Sequence, residues 1–148
     1  ESSLSKFDSD LGMANSRARL RMTTLYQVAA ANKGIVVGTG NKVEDFGVGF
    51  YTKYGDGGVD ISPIADCNKT EVWEIGRELN ILKEIIDAAP TDGLWDDGRT
   101  DEGQLGLKYK ELEEAMNNPN SPNREKYEKI RKMNLHKMKP IPVCKIPN

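Results

Sequence analysis

Between Phe50 and Asp60, eleven residues hold three aromatics, one lysine, two aspartates and three glycines. Aromatics in a glycine-rich loop either pack beneath it or line a pocket for a flat ring. Composition alone leaves these two readings level. In the second, Lys53, Asp56 and Asp60 would orient a substrate. Upstream, Gly38-Thr39-Gly40-Asn41 follows a β-branched run, and Glu44 lies just beyond. Ligands of open α/β sheets bind outside the carboxyl ends of strands. Here the glycines would let a ligand approach the backbone. Thr39 offers a hydroxyl and an N–H to a phosphate, and Glu44 a hard oxygen to Mg²⁺. A Gly-x-Gly after a strand is slightly more often a plain turn.

Lys69 falls at the start of a predicted helix, facing the positive end of its dipole. A phosphate held between the two would make that placement favourable, although a solvated lysine is the simpler reading. Arg17 and Arg21 share one flank of an earlier helix and Arg19 lies on the other. They form a solvated face unless one of them grips a carboxylate. His136, the only histidine, stands beside Lys137. A lone exposed histidine is more often a surface residue than a general base.

The elements that must position these residues can be read from periodicity and caps. A helix is predicted over roughly Met13 to Asn32, with Ala18, Met22, Leu25, Tyr26 and Ala29 as its apolar stripe. Ile35-Val36-Val37 reads as a short strand buried on both faces. The stretch Gly47 to Gly58 should lack regular structure. Asn68 with Glu71 resembles a capping box, opening a helix that carries Val72, Ile75, Gly76 and Leu79 on one face. A second short helix is expected over Leu82 to Ala88. Thr91 to Gly103 is acidic, glycine-rich and unpatterned, which predicts a loop, mobile without ligand. Tyr109, Leu112 and Met116 suggest another short helix. Ser121 as N-cap and Pro122 at the first position should then start a helix reaching His136. Pro140, Pro142 and Pro147 forbid a long helix or central strand in the tail.

Helix, strand and helix make part of an α/β architecture, the second half of a doubly wound, Rossmann-like domain. At 148 residues there is room for one domain. The 21 basic and 23 acidic residues give a net charge of −2. That balance argues against a nucleic-acid partner, which needs excess lysine and arginine. The longest apolar runs are a few residues, too short to span a membrane as a helix. Cys67 and Cys144 read as small buried residues rather than a disulfide or zinc site, which favours the cytoplasm. The chain opens on Glu1 rather than Met, so a preceding segment is expected.

Five segments together resemble ammonia-dependent NAD synthetase. They are Ala18-Arg19-Leu20-Arg21-Met22, Gly38-Thr39-Gly40-Asn41-Lys42-Val43-Glu44, Thr52 to Ile61, Asn68-Lys69-Thr70 and Ala89-Pro90-Thr91. The likeness runs from about Asn15 to Met116 and more loosely to His136-Lys137. The Thr-Lys-Tyr-Gly-Asp-Gly-Gly run favours the ammonia-using branch. The resemblance implies an adenine-nucleotide α-hydrolase type of doubly wound fold, helix-rich here. It implies a homodimer with deamido-NAD at its interface and ATP as co-substrate. In that family ATP adenylates the nicotinate carboxylate, releasing pyrophosphate, and ammonia displaces AMP to leave NAD.

Residue by residue, Thr39, Lys69 and Thr91 match positions on ATP or its leaving pyrophosphate, and Glu44 matches a Mg²⁺ ligand. Arg19, Lys53, Asp60, His136 and Lys137 match positions that hold deamido-NAD. Asp56 matches a group that positions ammonia or takes its proton, so Asp56 and Lys69 are the expected catalytic pair. The family has Thr-Glu before its His-Lys, where this chain has Asn134-Leu135. The family's Ser-Gly-Gly-x-Asp-Ser phosphate loop does not occur in these residues. The expectation is thus a partial synthetase domain over 1–148, inactive alone, whose N-terminal strands are missing. The alternative is a catalytically incomplete nucleotide-binding or dimerisation fragment. Either should associate, with itself or with the missing half, through the stripe of Ala18, Met22, Leu25 and Tyr26.

Overall fold

Ser9 starts the longest helix, accepting a hydrogen bond from the Gly12 N–H at 3.0 Å. Helix α1 then runs Asp10–Ala31 in the computed structural model, which describes residues 2–7 and 9–146. It stops where Lys33 turns to φ 54° and the Gly34 N–H reaches back to the Ala29 carbonyl. Its stripe is only partly covered. Ala18 is buried, Met22, Tyr26 and Ala29 are half-buried and Leu25 is more than half exposed; outside the stripe Ala14 is buried, and Leu20 and Val28 are more than half exposed.

The expected strand is cut down to a bridge. Val37 pairs in parallel with Ile61, the Gly38 N–H donates to the Ile61 carbonyl at 2.7 Å, and the Asp60 N–H donates to the Val36 carbonyl at 2.9 Å. Val36 alone is buried, while Ile35 and Val37 are exposed, so the run is not covered on both faces. A strand needs neighbours on its edges, and among the described residues Ile35 to Val37 pair on one side only.

The glycine-dense stretch is more regular than expected at its start. Val43–Val48 forms a turn of π-helix, closed by Gly49 in the left-handed region at φ 67°. A Cβ at Gly49 would come within 2.7 Å of Asn134 Cβ, so glycine also permits close approach of the last helix. Beyond it, α2 covers Lys69–Glu78 and α3 covers Lys83–Ile86. The Glu71 carboxylate accepts from the Asn68 N–H at 2.6 Å, as the capping box predicts. Helix α4 covers Asp101–Leu105, α5 Tyr109–Asn117 and α6 Arg124–Met138. Asn123, rather than Ser121, stands at the N-cap of α6.

Two further expectations change. Thr100 caps α4 through the Gly103 N–H, so the end of the supposedly unpatterned segment is helical. Its beginning is tied to α1: Arg17 donates to the Leu94 carbonyl at 2.8 Å and Arg21 to that of Gly93 at 2.7 Å. Cys144 is exposed rather than buried, because the tail from 139 to 146 lies open to solvent. Pro140 and Pro142 sit in irregular backbone there, and Pro147 lies outside the described residues.

The core gathers around the π turn, α5 and α6. Val43, Val48, Leu105, Leu107, Tyr109, Leu112, Ala115 and Tyr127 are buried together, with Phe50, Trp73, Met116 and Ile130 packed at the edge. Arg131 fastens α6 by donating to the carbonyls of Phe46 and Gly47 at the end of the π turn.

Candidate functional site

Beside this core a cavity of about 430 Å³ opens toward α1. The bridge segment supplies Thr39, the π turn Glu44, the aromatic loop Asp56, the first residue of α2 Lys69, and the segment before α4 Thr91 and Asp101. Five residues singled out from scattered parts of the sequence, Thr39, Glu44, Asp56, Lys69 and Thr91, thus line one space. Arg21 and Met22 of α1 form part of its opposite wall.

At its floor lies a polar cluster. Asn41 is buried and folds the turn locally, its Oδ1 accepting from the N–H groups of Val43 and Glu44. That turn presents Glu44. The Tyr109 hydroxyl donates to Glu44 Oε1 at 2.5 Å, and Lys69 Nζ stands 3.4 Å from the same oxygen. Lys69 also sits 5.0 Å above the Tyr109 ring, and Trp73 meets that ring edge-on at 6.1 Å. Burial, followed by the charge of Glu44, raises the Tyr109 phenol above its ordinary range, so it stays protonated and donates. Among the described residues Glu44 Oε2 has only a long contact with the Asn41 N–H, at 3.4 Å. One oxygen of Glu44 is thus held and the other is nearly free. That suits a hard cation whose remaining ligands are water or phosphate oxygens. Among the described residues no three Asp, Glu, His or Cys side chains gather to enclose a metal on their own.

Asp56 stands on the wall between this cavity and a second one of about 200 Å³, which Asp45, Tyr51 and Lys137 also line. Its Oδ1 accepts from the Thr52 N–H at 2.8 Å. The residue as a whole is exposed, but protein packed around the carboxyl group raises its pKa above the usual carboxylate range, against the opposing pull of that hydrogen bond. Asp45 is pushed up to about 6 by burial and then by the charges of Glu44 and Asp56. Lys137 is moved down by burial and donates to the carbonyls of Gly49 and Tyr51 at 2.9 and 2.7 Å.

The remaining residues do not line the main cavity. Arg19 donates to the Lys53 carbonyl at 3.3 Å, and Lys53 Nζ to the His136 carbonyl at 3.1 Å. These three make a chain along the surface. Asp60 is exposed, but both its oxygens are hydrogen-bonded within the chain, accepting from the Val36 N–H at 2.7 Å and the Tyr26 hydroxyl at 3.2 Å. Sequence reasoning missed Tyr109 and Asp101. Tyr109 resembled one more stripe residue of α5, and Asp101 one more acid of a loop. The Thr100 cap immediately before Asp101 was the available signal that the residue begins a helix.

A family model described as NAD synthase matches residues 1–146. An NH(3)-dependent NAD(+) synthetase of Carboxydothermus hydrogenoformans is 52% identical over 106 residues, covering 72% of this chain and 43% of the relative. That of Alkaliphilus oremlandii is 44% identical over 135 residues, covering 90% and 53%. The chain therefore spans about half the length of these curated relatives. Among solved structures, an NMN synthetase of Francisella tularensis superposes with a TM-score of 0.85 at 35% identity, covering 99% of this chain and 60% of that one. An NH3-dependent NAD synthetase of Campylobacter jejuni, solved with nitrate, gives 0.64 at 24% identity, covering 91% and 56%. These neighbours have the Rossmann-like, adenine-nucleotide α-hydrolase fold, and this chain contributes a helix-rich part of it.

Proposed function

Since the chain belongs to the NAD synthase family, we propose that it carries part of a ligase site joining ammonia to deamido-NAD at the expense of ATP. The observation that supports this most is the convergence of Thr39, Glu44, Asp56, Lys69 and Thr91 on one cavity. A carboxylate is a poor electrophile, and adenylation turns it into an acyl group with a good leaving group. Lys69 is placed to neutralise the departing pyrophosphate, and Thr39 and Thr91 to hold ATP phosphates at the cavity wall. Bound at Glu44, Mg²⁺ would supply further charge neutralisation there.

Ammonium is not a nucleophile, so a base must take a proton before attack. Asp56 suits that task, because its crowded carboxyl group holds a proton more readily than a solvated one. Arg19, Lys53 and His136 lie outside the cavity, which fits a dinucleotide held across an interface with a second copy of the chain. Asp60, fully engaged internally, would act there by fixing the bridge segment. No helix of the described residues is long and apolar enough to cross a membrane. A cytoplasmic homodimer is the setting we propose.

The Francisella structure supports a second reading of substrate, in which the mononucleotide is amidated by the same chemistry. The alternative is a chain that binds nucleotide without turnover. All are tested by measuring ATP–pyrophosphate exchange and amide formation with the mononucleotide and the dinucleotide in turn. In the active protein, Asp56→Asn should leave exchange largely intact and slow amide formation by about 10²-fold. An unchanged amidation rate at neutral pH and limiting ammonia would remove the proton-accepting role from Asp56. Binding of ATP with no exchange would favour that alternative.

A further inference from the structure

Two donors converge on one oxygen of Glu44. The Tyr109 hydroxyl lies 2.5 Å from Oε1 and Lys69 Nζ 3.4 Å from the same atom. The first distance is that of a strong bond to a charged acceptor, and the second is too long for one. Asp101 Oδ2 is the phenol's other neighbour, at 3.3 Å, so the single phenolic proton goes to Glu44. Tyr109 is fully buried, with Trp73 against its ring edge-on, so its hydroxyl is fixed. Lys69 is held less firmly. Its side chain is 20% exposed on the cavity wall and its ammonium rests 5.0 Å from the centre of the Tyr109 ring. The end of α2 behind it is already occupied. Thr70 donates its N–H and its hydroxyl to Glu113 at 3.0 and 2.7 Å, and the Asn68 N–H donates to Glu71 at 2.6 Å. Two leading N–H groups of the helix are thus taken by carboxylates, whose charge opposes a phosphate there. An anion in the cavity therefore depends on the Lys69 ammonium rather than on the helix end.

We propose that Tyr109 is a positioning residue that holds Glu44 in place of Lys69, and so leaves the Lys69 ammonium free to pass to the phosphates. The inference rests on reading Lys69 as the group that neutralises pyrophosphate. A lysine closed onto a carboxylate in a largely buried site is a poor phosphate ligand, because its departure strands the carboxylate without a donor. Here the phenol stays on Glu44 Oε1 when the lysine leaves. The ring face gives the ammonium a weak resting place that is easily vacated. Tyr109→Phe keeps the ring and its packing and removes only the hydroxyl. Lys69 is then the one donor left to Glu44 Oε1 among the described residues, and it should close on that oxygen and be withdrawn from the cavity.

Binding of inorganic tripolyphosphate to the protein, read by calorimetry with no metal added, tests the assignment. Lys69→Ala should abolish measurable binding. Tyr109→Phe should weaken it by about tenfold. In a Glu44→Gln background no carboxylate competes for the lysine, so the same Tyr109→Phe change should alter affinity by less than about twofold. A merely structural loss at a core tyrosine would persist in that background. If Tyr109→Phe does not fold, proton NMR of the unsubstituted protein decides. Tripolyphosphate should move the Lys69 side-chain protons out of the shielding of the Tyr109 ring, while the low-field proton between Tyr109 and Glu44 remains. Loss of that low-field signal, equal weakening in both backgrounds, or no weakening in either overturns the inference and leaves the reading of Lys69 intact. Binding that is indifferent to Lys69→Ala, or absent from the unsubstituted protein, overturns both.

Discussion

The two sides of the main cavity are built differently. On one side, the π turn, α5 and α6 enclose Tyr109, Leu112 and Val43 with no exposure at all. Glu44 and Lys69 stand on that packed base. On the other side, α1 buries only Ala14 and Ala18, and it is held near the cavity by arginines that reach main-chain carbonyls of 92–94. Dispersion and apolar burial fix the first side, and directional polar contacts at the surface fix the second. A cation or phosphate site needs carboxylates and amines held within fractions of an ångström, which close packing provides. A wall that admits a large nucleotide can be less tightly bound.

The largest effect should fall on the packed side. Leu112 has no exposed surface and lies on the helix that carries Tyr109. Leu112→Ala removes three buried carbons and leaves a cavity, which should cost about 3 kcal/mol in urea unfolding. A loss below about 1 kcal/mol would mean that this region can collapse, and the contrast between the two sides would vanish.

The difference between the sides also explains what could be read from the sequence. Caps act over three or four residues, so the Asn68–Glu71 pair announced α2 correctly. Helix α6 starts later than expected because Ser121 and Asn123 are both residue types that cap a helix, and local rules do not choose between them. Ile35 to Val37 had the composition of a strand, but a strand depends on neighbours distant in sequence. Here the described residues supply only Ile61. The same limit hid the floor of the cavity. Tyr109 meets Glu44 across 65 positions, a contact no periodicity reveals. The five cavity residues were legible because the resemblance carried them, and not because their own spacing pointed to one place.

A smaller effect comes from charge crowding at the edge of the packed side. Asp45 is raised from 3.8 to about 6 by burial and by Glu44 and Asp56. The folded protein therefore holds this proton more tightly than the unfolded chain does. Its contribution to stability is complete below pH 4 and is lost as pH rises through about 6. Asp45→Asn cannot lose a proton and should gain on the unsubstituted protein over that window. Because the side chain is partly solvated, the gain at pH 8 should be about 1 kcal/mol rather than the full value of the shift. Parallel unfolding curves of the metal-free proteins at pH 4 and pH 8 read it. Equal stabilities at both values would show that Asp45 titrates as a surface carboxylate.

The smallest effect belongs to α1. Val28 is 55% exposed and lies outside the cavity. Val28→Ala removes two methyl groups that are mostly in water, so little burial is lost. It also replaces a β-branched residue by the best helix former, a gain of a few tenths of a kcal/mol. The two terms oppose each other, and the variant should stay within about 0.5 kcal/mol of the unsubstituted protein. The result changes if another surface covers this face in solution. Val28 would then lose buried contacts, the cost would rise to about 1 kcal/mol or more, and the melting temperature would climb with protein concentration as mass action requires. A large, concentration-dependent effect at Val28 would show that the open side of the cavity is completed by association, and the looser wall would then be loose only in the isolated chain.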